Sequence, residues 1–243
     1  MWAIYSKEIR LFFSGLTGTL ALITFFIILG LFLWVFPDTN ILDFGYANID
    51  GLFALSPYIF MLLVPAITMR TFSEEKQYGT YEWLVTRPIN EFQIIFGKYL
   101  AAVTVLAVAL VPTLIYFITV FFLALPVGNI DTGGIMGSYI GLFLLGSVFA
   151  AIGLFASSVA QNQIIAFLAG AVLCFIMFQA FGYLAKLGVF FGKYDYIVEQ
   201  IGIEAHYISM SKGVLDSRDL VYFSSVITAF LLFTQTVLSA RKW

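Results

Sequence analysis

The sequence has very little charge and almost none of the residues that perform catalysis. Only 11% of its 243 residues are charged and 61% are hydrophobic, whereas soluble domains carry roughly 25% charged residues. The single cysteine, Cys174, permits neither an internal disulfide nor a thiolate metal cluster. Twelve Lys and Arg nearly balance fourteen Asp and Glu, so the net charge indicates no nucleic-acid partner. This composition predicts an all-α polytopic membrane protein.

Motifs for enzymatic and transport chemistry are also missing. There is no G-x-x-x-x-G-K-[ST] loop, so the chain cannot bind and hydrolyse ATP by the P-loop route, and no H-E-x-x-H or G-x-S-x-G motif is present. Between Lys98 and Lys186 the only charged residue is Asp131, although ion-coupled carriers usually need charged groups at membrane depth. A secondary transporter and an intramembrane hydrolase are therefore disfavoured, and we expect no catalytic, cofactor or metal site. The only histidine, His206, is interpreted as loop structure with Glu204 as its hydrogen-bonding neighbour.

Six apolar segments are long enough to cross a membrane as helices. They cover about residues 16–36, 51–69, 99–125, 135–159, 164–185 and 220–240. Eight of the twelve Lys and Arg fall at the two chain ends and around the loop between spans two and three, which predicts cytoplasmic N- and C-termini under the positive-inside rule. The polar segment 186–219 is then external, and residues 1–243 form one transmembrane domain.

Three further patterns predict helices or helix contacts. At the N-terminus, Trp2, Tyr5, Ile9 and Phe12 recur at helical spacing, which favours an interfacial helix over a frayed basic terminus. In the external segment a similar stripe predicts a surface or re-entrant helix, and its members are Tyr194, Ile197, Val198 and Ile201. A row of small residues in the fourth span fits either a contact between subunits or ordinary packing within the chain, and its members are Gly137, Gly141, Gly146, Ala150 and Gly153.

Residues 70–91, which we call the coupling segment, form the only dense run of charge between two long apolar stretches. We expect Ser73 to cap a first short helix, Gly79 to supply a hinge and Thr80 to cap a second helix. Pro88 should end this second helix, and Asn90 should cap the third span. Because both ends of the segment continue into spanning helices, a force applied to it would reach spans two and three.

The coupling segment also contains residues that carry a family resemblance. The pattern resembles the signature F-x-E-E-K-x-x-G-T-x-E-x-L-x-T-x-P of ABC-2 type permeases, and it consists here of Glu74, Glu75, Lys76, Gly79, Thr80, Glu82, Leu84, Thr86 and Pro88. A second stretch, SSVAQNQIIAF from Ser157, is similar to that family's S-S-L-T-x-N-Q-I-V-A-F, with Val159 and Ala160 replacing the Leu-Thr pair. Four further stretches, GLFLWVFP, NIDGLF, PVGNIDTG and GVLDSRDLVYF, resemble the gliding-motility permeases of Bacteroidetes.

The resemblance implies an ABC-2 exporter permease fold in a bacterial inner membrane. It further implies a separate, GldA-like ATP-binding subunit that holds the ATP, and a GldG-like auxiliary membrane subunit, with the lipid bilayer as surroundings. Homodimers and heterodimers of permease chains are both left open. We expect the coupling segment to fit a groove of the ATPase through Glu74, Glu75, Lys76, Gly79, Thr80 and Glu82. The alternatives are a non-transporting scaffold or mechanotransmission subunit driven by the same ATPase, and an ion channel.

Overall fold

The computed structural model describes residues 1–37, 39–43, 45–85, 90–186 and 195–240, apart from the side chains of residues 84 and 85. Within these ranges the chain is helical and contains no strand. The α-helices are α1 (Trp2–Ser14), α2 (Leu16–Trp34), α3 (Asp50–Thr68), α4 (Arg70–Gln77), α5 (Thr80–Val85), α6 (Glu91–Leu110), α7 (Leu114–Leu123), α8 (Thr132–Val159), α9 (Gln163–Phe175), α10 (Phe181–Ala185), α11 (Asp195–Ile201), α12 (Ile203–Met210) and α13 (Ser217–Ser239).

Six helical stretches in the described ranges are long and apolar enough to cross a membrane, which confirms the predicted number. They are α2, α3 with α4, α6 with α7, α8, α9 with α10, and α13. The third stretch begins at Glu91, before the predicted start at residue 99. Asn90 caps it, because its side-chain oxygen accepts a hydrogen bond of 3.2 Å from the Phe92 amide, as the sequence predicts.

Proline interrupts the α-helix in the third stretch but not in the second. Pro57 and Pro65 both lie inside the continuous helix α3, where neighbouring helices can satisfy the carbonyl groups that proline leaves unbonded. At Pro112 the chain instead tightens into a 3₁₀ turn, Val111–Thr113, between α6 and α7. A π-helical turn, Ile176–Ala180, likewise separates α9 from α10.

Helix α8 lies at the centre of the bundle, where it contacts α3, α4, α6, α9, α12 and α13. Its small residues permit this close approach. A Cβ on Gly141 would lie 2.7 Å from the Cβ of Met210, and one on Gly153 would collide with the Thr68 side chain. These glycines therefore pack against helices of the same chain, which favours the intrachain interpretation of the small-residue row.

Both chain ends lie at one end of the bundle. Near the C-terminus, the Ser239 hydroxyl donates a hydrogen bond of 2.6 Å to a Glu91 carboxylate oxygen, and near the N-terminus Glu8 pairs with Lys98 at 2.8 Å. We call this the polar end, because it also carries α4 and α5. That it faces the cytoplasm stays a prediction, and residues 241–243, with their two predicted cytoplasmic cations, lie outside the described residues.

The N-terminal helix is confirmed as a separate element, α1, because the chain is extended at Gly15 between α1 and α2. Ile4 is its buried residue and packs against Gly97 of α6. Of the predicted stripe, Trp2 is 71% exposed, and the Tyr5 hydroxyl lies 3.1 Å from the Thr104 hydroxyl of α6. That the stripe lies in a membrane interface stays a prediction.

In the segment predicted to be external, the predicted surface helix is present as α11, and a second helix, α12, enters the bundle. The predicted stripe falls on α11, where Ile197 and Ile201 are exposed and where Tyr194 lies outside the described residues. Tyr207 and Met210 of α12 are buried, and the Tyr207 hydroxyl donates a hydrogen bond of 2.7 Å to the Phe53 carbonyl oxygen of α3. Helix α12 therefore closes this end of the bundle.

Candidate functional site

The first helix of the coupling segment, α4, is capped by a residue from a distant part of the chain. The Ser157 hydroxyl, at the end of α8, accepts hydrogen bonds from the backbone amides of Phe72 (3.0 Å) and Ser73 (3.1 Å). It also donates one of 3.0 Å to the Met69 carbonyl oxygen. The predicted cap at Ser73 is wrong, because α4 follows α3 after a single residue and the Ser73 hydroxyl bonds back to Met69.

A sharp turn separates α4 from α5. Gly79 has a φ of +66°, a left-handed conformation that glycine adopts at little cost, and it lies at the predicted hinge position. Thr80 is the first residue of α5 and not its cap, since its hydroxyl donates instead to the Glu75 carbonyl oxygen at 3.3 Å. Tyr81 packs its ring edge against Phe72 at 6.3 Å, which holds α5 against α4. The predicted end at Pro88 lies outside the described residues.

A cluster of four charges, in which three side chains are largely buried and that of Lys7 is half-exposed, joins α4 to α1 and α6. Lys98 of α6 has no exposed side-chain surface, and its ammonium lies 2.8 Å from Glu8 and 2.9 Å from Glu75. Lys7 lies 2.8 Å from the same Glu75 oxygen. Burial opposes the charge of Lys7, but the hydrogen bond to Glu75 and the nearby carboxylates outweigh it and raise its pKa. The cluster is electrically balanced, which a buried ion pair requires.

The predicted coupling residues divide into two groups. Three of them are paired within the chain. Glu75 belongs to the charge cluster, Lys76 hydrogen bonds to the Ser158 carbonyl oxygen through its ammonium, and Glu74 pairs with Arg70 at 2.8 Å. Glu75 and Lys76 therefore hold α4 against other helices of the bundle, whereas the Glu74–Arg70 pair lies within α4.

The remaining predicted residues, Gly79, Thr80 and Glu82, are exposed at the surface of the polar end. Two aromatic residues that the sequence analysis did not select, Tyr78 and Trp83, are exposed beside them by 69% and 79%. We call these five residues the crown. The sequence did contain a signal, since Tyr78 and Trp83 are large aromatic side chains within the charged coupling segment.

Next to the crown lies an open cavity of about 350 Å³, lined by residues of α1, α2, α3, α4 and α6 and by Tyr78 and Thr80 of the crown. Its lining includes three cationic side chains, Lys7, Arg70 and Lys98, and three anionic ones, Glu8, Glu74 and Glu75. Its opposite wall is apolar and includes Phe12, Ile67, Ala101, Ala102 and Val105. The cavity is thus amphipathic, with its charges towards the polar end.

At the other end of the bundle, His206 contacts residues of two neighbouring helices. Its Nδ1 lies 2.7 Å from an Asp219 carboxylate oxygen and its Nε2 lies 3.0 Å from the Gln200 carbonyl oxygen. Its ring stacks on Tyr222 at 3.9 Å. The expected partner Glu204 is replaced by Asp219, because the first turn of α13 approaches α12 in space. No group of three or more potential metal-binding His, Cys, Asp or Glu side chains occurs among the described residues.

The sequence profile of a family described as ABC-2 family transporter protein matches residues 37–191, which include the coupling segment and α8. The chain belongs to this family. The helical fold of the described residues, with its six candidate spans, agrees with this membership. Membership in the family indicates that the chain is the membrane subunit of an ABC exporter. No curated protein matches the sequence.

Proposed function

We propose that this chain couples ATP hydrolysis by a separate subunit to export across a membrane, and that the crown is where the ATPase binds. The supporting observation is the division within the coupling segment. One face of α4 is fixed by the buried charges of Glu75 and Lys98, while the crown projects from the bundle. Because Tyr81 of α5 packs against Phe72 of α4, a displacement of the crown would reach α4 and, through its buried charges, α6.

The crown has the composition of a protein interface. Trp and Tyr are the residue types that most often dominate binding energy at such surfaces, and Trp83 and Tyr78 are the large exposed side chains of the crown. Glu82 adds a negative charge that can determine which partner is accepted. In this proposal Gly79, Thr80 and Glu82 retain their predicted contact with the ATPase, and Glu74, Glu75 and Lys76 transmit its movement.

The finer assignment rests on sequence resemblance. We propose that the permease serves gliding motility in a bacterial inner membrane, as a GldF-like subunit that pairs with a GldA-like ATPase and a GldG-like auxiliary protein. The stretches NIDGLF and PVGNIDTG, quoted above, support this proposal. The cytoplasmic side of the membrane is proposed for the polar end, since an ATPase that uses cellular ATP must reach the crown there.

The proposal is tested by co-purification and transport. The chain is co-expressed with a candidate GldA-like ATP-binding subunit, and Trp83→Ala is compared with Trp2→Ala. Trp2 is a similarly exposed tryptophan at the polar end, but it lies on α1 outside the crown. We expect Trp83→Ala to lower the yield of bound ATPase at least tenfold, because interface tryptophans commonly contribute 2 kcal/mol or more, on the order of a 30-fold change in affinity. Trp2→Ala should leave the yield unchanged.

Uptake into inverted vesicles then separates an exporter from a scaffold. Uptake should require ATP and should be lost when the ATPase partner is catalytically inactive. If Trp83→Ala retains the wild-type amount of ATPase and wild-type uptake, the crown is not the binding surface. If the complex forms but no ATP-dependent uptake of any cargo occurs, the exporter assignment is replaced by the scaffold alternative.

A further inference from the structure

The Phe53 carbonyl group of α3 receives its hydrogen bond from another helix. In an α-helix this oxygen would accept from the backbone N–H four residues later, but that residue is Pro57, which has no N–H. The Tyr207 hydroxyl of α12 supplies the missing donor at 2.7 Å. Both Phe53 and Tyr207 are buried, so loss of this bond would leave an acceptor unpaired away from water, which is costly. Helix α12 is thus joined to α3 at the carbonyl that Pro57 leaves free.

A second donor lies beside the same carbonyl. Ser56 is 1% exposed, and its hydroxyl makes no hydrogen bond within the described residues. A serine in a helix can donate to the carbonyl three residues earlier, as Ser158 does in this chain to Phe155 at 2.7 Å. Phe53 stands three residues before Ser56. Rotation of the Ser56 side chain would therefore bring its hydroxyl to the carbonyl that Tyr207 now occupies.

Helix α12 is attached to the bundle more firmly at its end than at Tyr207. Met210 packs directly against Gly141 of α8, and the Ser138 hydroxyl of α8 donates a hydrogen bond of 2.8 Å to the Ser211 carbonyl oxygen. Tyr207 lies about one helical turn before this attachment. Because α12 has only eight residues, a rotation about the attachment would take Tyr207 away from α3 without unwinding a spanning helix.

We propose that Tyr207 and Ser56 are alternative donors to the Phe53 carbonyl, and that α12 is a latch on α3 that opens during transport. In the closed latch, which this structure shows, Tyr207 donates. In the open latch α12 has moved away and Ser56 donates to the same oxygen. Neither state leaves the buried carbonyl unpaired, so the latch opens without the usual cost of a lost hydrogen bond.

The first test measures amide hydrogen exchange at residues 203–210 in the full chain without any ATPase. Tyr207→Phe removes the closed-state donor but keeps the ring, which packs beside Phe178 at 6.1 Å. We expect exchange there to become roughly fivefold faster, the change in open population that loss of one buried hydrogen bond produces. Tyr139→Phe is the matched control, since it removes another tyrosine hydroxyl from a backbone carbonyl, that of Thr113. Unchanged exchange in Tyr207→Phe, or equal acceleration in both variants, contradicts the latch.

Ser56→Ala should act in the opposite direction. The change removes the donor of the open state alone, so the open latch would have an unpaired carbonyl and exchange at residues 203–210 should become roughly fivefold slower. A serine that merely supports the closed structure would give faster exchange when it is replaced. Ser158→Ala, which removes a hydroxyl with the same type of bond in α8, should leave exchange at these residues unchanged. Faster or unchanged exchange in Ser56→Ala overturns the proposal.

Pro57→Ala tests whether the proline is the reason for the latch. The new N–H at position 57 would pair with the Phe53 carbonyl in both states, so Tyr207→Phe and Ser56→Ala should each lose most of their effect in this background. Pro65→Ala is the control, because Pro65 lies in the same helix but deprives a different carbonyl, that of Met61, of its helical donor. Effects that persist at full size in the Pro57→Ala background contradict the proposal.

The link between the latch and transport rests on the proposed function and is tested separately. Helix α3 continues into α4 after Met69 alone, so the latch and the coupling segment lie on one helical stretch. We expect Ser56→Ala to bind the wild-type amount of ATPase but to lower ATP-dependent uptake into inverted vesicles roughly fivefold. Wild-type uptake despite slower exchange would show that the latch does not open during transport. If the wild-type complex shows no uptake, the exporter function fails, whereas the exchange results on the chain alone still decide the latch.

Discussion

Glu75 of α4 and Lys98 of α6 form an ion pair of 2.9 Å in which the lysine side chain is completely buried. The turn at Gly79 and the start of the third spanning stretch lie between these two residues in the chain. Their ion pair therefore joins the helices on either side of that turn, α4 and α6. Glu8 of α1 completes the contact at 2.8 Å from Lys98. Three helices that approach the polar end from different directions are thus fixed at one ammonium group.

We predict that Lys98→Met lowers the free energy of unfolding by about 3–5 kcal/mol, the usual effect of removing one partner of a buried ion pair. Glu8 and Glu75 would then share only Lys7, and one buried negative charge would be uncompensated. The measurement is the temperature at which the purified protein loses its monodisperse peak in size-exclusion chromatography. Lys212→Met, which changes an exposed lysine in the turn after α12, is the matched control and should have no effect.

The double variant Lys98→Met with Glu75→Leu tests whether the loss is electrostatic. It leaves Lys7 beside Glu8, which are 3.7 Å apart, so the buried charges balance again. We expect the double variant to recover much of the stability that Lys98→Met loses, because well-packed apolar pairs can replace buried ion pairs. A double variant as unstable as the sum of the two single variants would contradict this account.

Ser157→Ala should destabilise α4 specifically. The change removes the acceptor of the Phe72 and Ser73 amides, and a buried group left without its partner costs about 1–3 kcal/mol. Hydrogen exchange at residues 70–77 is the measurement, and faster exchange is expected there. Ser158→Ala is the neighbouring control, since the Ser158 hydroxyl bonds only within its own helix to Phe155. Equal effects of the two changes would show that Ser157 is not a specific cap.

The sequence predicts the spans and the turn at Gly79, because these depend on local hydropathy and on backbone freedom. The sequence does not predict which residue caps α4. Ser73 has the right residue type at the right spacing, but the chain passes from α3 into α4 without unwinding, so the capping hydroxyl comes from Ser157 instead. The same limit applies to Glu75 and Lys98, whose pairing depends on how α4 and α6 pack in three dimensions.

Gly79→Ala should weaken ATPase binding without unfolding the protein. A side chain in the left-handed region costs roughly 1–2 kcal/mol, and no atom lies within 4 Å of the added Cβ. We therefore expect a change in the direction of α5, and with it the position of Trp83, read out as a lower yield of co-purified ATPase. Gly45→Ala is a matched control, because Gly45 has a φ of +70° and equally open surroundings in another loop. Reduced yield in both variants would indicate general instability.

His206→Ala should loosen the helices at the end of the bundle opposite the crown. The Nδ1 of His206 lies 2.7 Å from the Asp219 carboxylate and its Nε2 lies 3.0 Å from the Gln200 carbonyl oxygen, so the ring connects α12 to both α13 and α11. Without the ring, α12 loses its contacts with Asp219 and Gln200, while the hydrogen bond of 2.6 Å from the Tyr222 hydroxyl to the Ile201 carbonyl oxygen remains. Amide exchange in residues 195–210 should therefore increase. Glu204→Gln changes a neighbour outside this contact and serves as the control. Unchanged exchange in His206→Ala would show that the His206 contacts do not hold α12 in place.

The central position of α8 determines how motion in this permease can be measured. Because α8 contacts α3, α4, α6, α9, α12 and α13, and glycines such as Gly153 leave no space at those contacts, the surrounding helices cannot move far without changing their distance to it. A spectroscopic label attached to α8 therefore supplies a fixed origin. Distances from it to the crown at one end and to α11 at the other would record, in a single sample, whether the two ends move together.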